Sequence, residues 1–203
     1  MIIASTFGEP VIQQTIWHTI GLYLQQGYLH ILPMGLDHIL FVAALFFSSA
    51  QLRPLIWQIS AFTIAHTLTL GLAVLGLISV PAAVVEPVIA LSIAYVAIEN
   101  LLREEPPQWR PGVVFAFGLF HGLGFAGVLG EYGLPLDALI PALLSFNLGV
   151  EAGQLTVIFG LALALWWARG TARYQMATRI GSGLIAIIAL WWTFERVIFA
   201  GGA

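Results

Sequence analysis

The chain has 203 residues, of which 60% are apolar and 8% charged, with a formal net charge of −3. An ordinary soluble domain carries about 25% charged residues, so a chain this apolar cannot build a water-facing surface. The mean hydropathy of +0.95 agrees. A soluble enzyme, a nucleic-acid binder and a disordered tail are excluded, and an integral membrane protein remains. Helices of about 20 residues span a bilayer. The length therefore fits a single membrane domain, 1–203, of about six or seven spans.

Cysteine is absent, which removes disulfides, thiolate metal sites and Cys nucleophiles. Lysine is absent too, so every basic residue is an arginine. Met1 to Pro10 has neither a basic start nor an apolar run leading to a small-residue site, and no cleaved signal peptide is expected.

In chain order, residues 11–29 place Ile12, Ile16, Ile20 and Tyr23 at helical spacing among four glutamines. This pattern predicts an amphipathic or interfacial helix leading into the first span. Pro33 and Gly35 break it. Spans are then expected at about 36–50, 55–78, 82–102, 112–129, 138–167 and 180–199. The predicted fold class is all-α, a polytopic membrane helix bundle of about six transmembrane helices.

The arginines orient it. Arg53, Arg103, Arg110, Arg169, Arg173 and Arg179 all fall in alternate loops, and only Arg196 does not. The positive-inside rule makes that side cytoplasmic and both termini external, which suits a bacterial inner membrane. The segment 61–76, AFTIAHTLTLGLAVLG, weakly echoes 116–130, AFGLFHGLGFAGVLG, with His66 over His121. Both lie on spans running the same way, the mark of a parallel repeat.

Polar residues within the spans carry the functional signal. A charge at mid-bilayer costs about 2.5–3.5 kcal/mol on insertion scales, and such residues face a bundle interior or a wet cavity. Here they are Asp37, His38, His66, Glu86, Glu99, Asn100, His121, Asn147, Glu151 and Gln154. Asp37, His38 and Glu86 are expected near the outer surface. His66, His121, Asn147 and Glu151 fall near the middle, and Glu99 and Asn100 near the inner end. Asn147, Glu151 and Gln154 form one stripe at i, i+4 and i+7. Glu86 lies about 220° round its helix from Glu99, so both line one pore only if the helix kinks. Gly118, Gly122, Ala126 and Gly130 form a small-residue stripe that brings its helix close to a neighbour and draws His121 inward.

Imidazole and carboxylate without thiolate suit divalent nickel, cobalt or zinc. Each residue also has a plainer reading: Asp37 as a helix cap, Glu86 as a first-turn acid, His66 and His121 as interhelical hydrogen bonds.

Five stretches, HILPMGLDHILFV (30–42), FTIAHTLTLGLA (62–73), VEPVIALSIAYVAIENL (85–101), FGLFHGLGFAGVL (117–129) and FNLGVEAGQLTV (146–157), together resemble the HupE/UreJ family of small bacterial membrane proteins. The resemblance implies a bundle of about six helices that carries nickel or cobalt. It also implies a metal-recognition pattern, His-x-x-x-Gly-x-Asp-His, on the first span. Gly35, Asp37 and His38 match that pattern. Four residues rather than three separate His30 from Gly35, and Pro33 stands two places later than the family's proline. The carry-over therefore rests on Asp37 and His38, with His30 outside the spacing.

The expected function is transport of a divalent transition-metal ion, nickel or cobalt foremost, within the lipid bilayer. The expected metal residues are Asp37, His38, His66, Glu86, His121 and Glu151, with His30, Glu99, Asn100, Asn147 and Gln154 along the pathway. Two alternatives remain at this point: an intramembrane zinc hydrolase, for which no HExxH or GxSxG motif is present, and a metal-binding regulatory or assembly subunit.

Overall fold

The computed structural model describes residues 9–48, 51–131 and 138–199, with side chains for 16–48, 51–125 and 138–199. Among the described residues all regular structure is helical. The seven α-helices are α1 Glu9–Ile31, α2 Leu36–Ser48, α3 Leu52–Val74, α4 Ala82–Leu102, α5 Arg110–Glu131, α6 Leu139–Leu165 and α7 Ala172–Phe199.

Local chemistry sets their ends. α3 stops at Gly76, whose φ of +70° suits glycine alone. Leu77 N–H then donates to Leu72 and Gly76 N–H to Ala73, the paired bonds of a Schellman close. α4 starts behind Pro81, whose carbonyl accepts from Val84 and Val85. Pro87 lies in its second turn, where its missing N–H leaves the Ala83 carbonyl without its intrahelical partner. α7 begins earlier than the expected 180, because Arg173, Gln175 and Arg179 lower hydropathy without breaking a helix.

Four helices, Leu52–Val74, Ala82–Leu102, Leu139–Ala168 and Ala172–Phe199, are each long and apolar enough to cross a bilayer. α2 has 13 residues, about 20 Å at 1.5 Å per residue, and is too short to span alone. It qualifies only with Ile16–Ile31, as a pair bent by 69°. The expected self-standing first span at 36–50 is thus the second arm of a broken pair. Its reason is Gly35, where any Cβ would collide with the His30 carbonyl. Only glycine lets the chain bend so closely there. α1 is likewise no detached surface helix. It packs along α6, burying Tyr23 and Ile31 with Leu70, Ala142, Phe146 and Val150.

The remaining helices pack in pairs. α3 and α5 run parallel, with Gly118 against Phe62 and Gly122 against His66 and Thr69. Thr69 also donates to the Leu119 carbonyl at 2.8 Å. These are the two segments that echo each other in sequence. α4 and α7 run antiparallel, joined near one end through Asn100 and Ser182 and at the other through Glu86 and Arg196. A larger apolar core gathers Phe41, Leu45, Leu55, Phe62, Ile93 and Ile185 from α2, α3, α4 and α7.

The arginine-rich end carries a buried knot. Arg110 is only 2% exposed and donates to Asn100 Oδ1 at 3.0 Å. Its Nε stands 3.5 Å from the Glu99 carboxylate. Asn100 donates to the Ala44 carbonyl at 2.7 Å. α2, α4 and α5 are thereby tied together, and the 3.3 Å bond to Ser182 adds α7.

On α6, a Cβ at Gly149 would collide with the Leu24 carbonyl, whereas one at Gly160 meets nothing within 4 Å. Gly149→Ala is expected to lower thermal stability in detergent by about 1–3 kcal/mol through overpacking. Gly160→Ala is expected to be neutral or slightly stabilising. Equal melting temperatures for the two variants would remove the close α1–α6 contact.

Candidate metal centre

The turn at Gly35 has a chemical consequence. It folds the start of α2 against the end of α1 and sets the His38 ring 4.7 Å, centroid to centroid, from that of His30. His66 reaches the same point from α3, 5.9 Å from His38 and 6.3 Å from His30. His121 arrives from α5, 5.1 Å from His38. Four of the chain's five histidines thus meet from four helices. The available ligand nitrogens of His30, His38 and His66 all lie within 4.8 Å of one another. His30 belongs to this group despite its irregular spacing, because the turn, not the residue count, sets its place.

The protonation pattern is legible for two of the rings. Asn147 Nδ2 donates to the Leu143 carbonyl at 2.8 Å, which fixes the amide's orientation. Its Oδ1 therefore faces His66 Nδ1 at 3.0 Å and makes that nitrogen the N–H donor. His121 Nδ1 similarly meets the Phe117 carbonyl at 2.9 Å. In both rings Nε2 is left as the lone pair. The Nε2 atoms of His30, His38, His66 and His121 are all buried without a hydrogen-bond partner. A buried unsatisfied polar atom costs about 1–3 kcal/mol. Four in one place, two of them oriented through the opposite nitrogen, form the arrangement that metal-ligating histidines adopt.

The surroundings are apolar on one side and open on the other. Phe62 lies 4.9 Å from His121, and Phe41 lies 5.1 Å from Phe62 and 6.2 Å from Phe117. These three rings lie on the side toward the arginine-rich end. Phe125 and Phe146 flank His30. On the side away from the arginine-rich end, a cavity of about 580 Å³ is lined by His30, His38 and His121 together with Asp37, Glu86 and Arg196.

The other sequence-selected residues are placed apart from the imidazoles. Asp37 lines the cavity but is held by Arg196, with both carboxylate oxygens 3.0 Å from Nη2. Glu86 is exposed at the same mouth. Glu151 is half-buried and accepts from Ser60 at 2.8 Å, and Gln154 accepts from Thr63 at 3.1 Å. With His66 and Asn147 they form a polar seam between α3 and α6. Glu99 and Asn100 sit in the arginine-rich knot. Sequence reasoning missed Arg196 and Arg110 as interior partners, since both lie at helix ends where arginine ordinarily meets water. The only signal was that Arg196 stands apart from the other six.

The fold is a polytopic membrane helix bundle, and its interior holds a buried cluster of imidazoles facing an open cavity. A family model of the HupE/UreJ proteins matches residues 8–196. The chain therefore belongs to the HupE/UreJ family. No curated protein and no solved structure matches it.

Nitrogen-15 NMR of histidine-labelled protein tests the tautomer assignment. His66 and His121 are expected as Nδ1–H tautomers with bare Nε2. Asn147→Ala should scramble His66 and leave His121 unchanged. A His66 ring protonated at Nε2 in the unaltered protein would contradict the hydrogen-bond geometry.

Proposed function

We propose that the protein transports a divalent transition-metal ion, nickel or cobalt foremost, across the bacterial inner membrane. The single observation that carries this reading is the set of four unpartnered Nε2 atoms, three of them on rings that line an open cavity. Neutral imidazoles suit nickel, cobalt and zinc, and membership of the HupE/UreJ family favours the first two. His38, His66 and His30 hold the ion, with His121 as the fourth ligand. Asn147 orients His66, and the outer mouth with Asp37 and Glu86 collects the ion. Glu99 and the α3–α6 seam belong to its inward side.

The ligand nitrogens of His30, His38 and His66 lie within 4.8 Å of one another, close enough to share one ion. A zinc-hydrolase reading needs a carboxylate base beside the metal, and Asp37 is engaged by Arg196 instead. The arginine-rich end is cytoplasmic by the positive-inside rule. The cavity then faces outward, and uptake is favoured by about 2.3 kcal/mol per charge per 100 mV of membrane potential.

Proteoliposomes carrying the purified protein are expected to show saturable uptake of nickel or cobalt. His38→Ala should reduce uptake at least about tenfold, with retention of fold checked by melting temperature. Glu151→Gln should leave equilibrium metal affinity within about twofold, because Glu151 bonds Ser60 and not the cluster. Absence of flux for nickel, cobalt, zinc and manganese alike, in folded protein, would overturn the transport reading.

A further inference from the structure

Arg196 is the one arginine at the cavity end, and it makes more contacts than a surface charge would. Its guanidinium donates to both oxygens of Asp37 at 3.0 Å. It also donates to the Glu86 carbonyl at 3.2 Å and lies 5.4 Å over the Trp192 ring. The pair is largely shielded, with side chains 22% and 26% exposed. Asp37 immediately precedes His38 in the chain, and both line the cavity with Glu86. The acid that adjoins His38 in the chain is therefore already neutralised by a cation that does not deprotonate. For Asp37 to face an arriving ion, the guanidinium must leave.

We propose that Arg196 is a built-in competitor for Asp37 that a divalent cation displaces and a monovalent one does not, making it a selectivity residue at the cavity mouth. The argument rests on the metal-transport reading. Arg196 Nη2 is shared by both Asp37 oxygens while Nη1 holds the Glu86 carbonyl, and the pair with the carboxylate is directional and charge-assisted. Sodium or potassium offers the same single charge without these directed hydrogen bonds, so it does not replace Arg196. A dication offers twice the charge, and the adjacent imidazoles add to its side of the exchange. The released guanidinium has an acceptor at hand, because the Glu86 carboxylate lines the same mouth and Trp192 already lies beneath it. One exchange thus opens Asp37 and closes the charge balance around Glu86.

The test is equilibrium binding of nickel and cobalt to the purified full chain in detergent, at low and at high sodium. Four proteins are compared: the unaltered protein, Arg196→Gln, Asp37→Asn and the double variant. Arg196→Gln is expected to bind the dication roughly five- to tenfold more tightly at low sodium. It should lose most of that gain at high sodium, whereas the unaltered protein responds weakly. In the Asp37→Asn background, Arg196→Gln should change affinity less than about twofold. Equal or weaker binding by Arg196→Gln, or the same gain without Asp37, would overturn the proposal. Should Arg196→Gln fail to fold, Arg196→Lys keeps the charge and loses these directed hydrogen bonds, and an intermediate gain is expected. No gain in Arg196→Lys would overturn it equally. An unaltered protein that binds neither ion overturns the transport reading itself, and this shows before any Arg196 variant is compared.

Discussion

Imidazole nitrogens left without partners inside a membrane bundle are the constraint on which the rest of the structure depends. Each costs stability, and no water in the hydrocarbon core offers relief. The surrounding packing has to absorb that cost. Phenylalanine rings fill the space beside and beneath the histidines, and the parallel α3–α5 pair approaches closely enough to bring two of the rings to one point. The sharp bend at Gly35 brings the other two. Remove the turn, and His30 and His38 separate along a straight helix.

Charge is handled at the periphery of this centre. At one end Asp37 is matched by Arg196, and at the other Glu99 is matched by Arg110 beside Asn100. Between them lie Thr63 with Gln154, His66 with Asn147, and the Glu151 carboxylate, which accepts from Ser60. Ion pairs thus sit toward the ends, and the polar groups between them are met by hydrogen bonds.

Much of this was legible in the sequence, because bilayer-spanning hydropathy and intramembrane polarity are strong signals. The apolar segments, the arginine asymmetry and the interior placement of His38, His66 and His121 follow from position alone. The break between α1 and α2 was visible as Pro33 and Gly35, but not its consequence, since linear spacing says nothing about a chain bending sharply. That is why His30 read as out of register. The i, i+4, i+7 stripe on α6 marked one face of a helix correctly. It could not show that Asn147 would turn to His66 while Glu151 turned to Ser60 one turn further on. Arg110 read as a loop residue because hydropathy cannot distinguish an arginine in water from one capping a buried carboxylate.

The layer of Phe41, Phe62 and Phe117 has a consequence for throughput on the transport reading. Phe41 packs against both other rings, between the histidines and the arginine-rich end. On that reading an ion leaves the histidines only when these rings swing aside, and each crossing is a discrete event paced by aromatic side-chain motion.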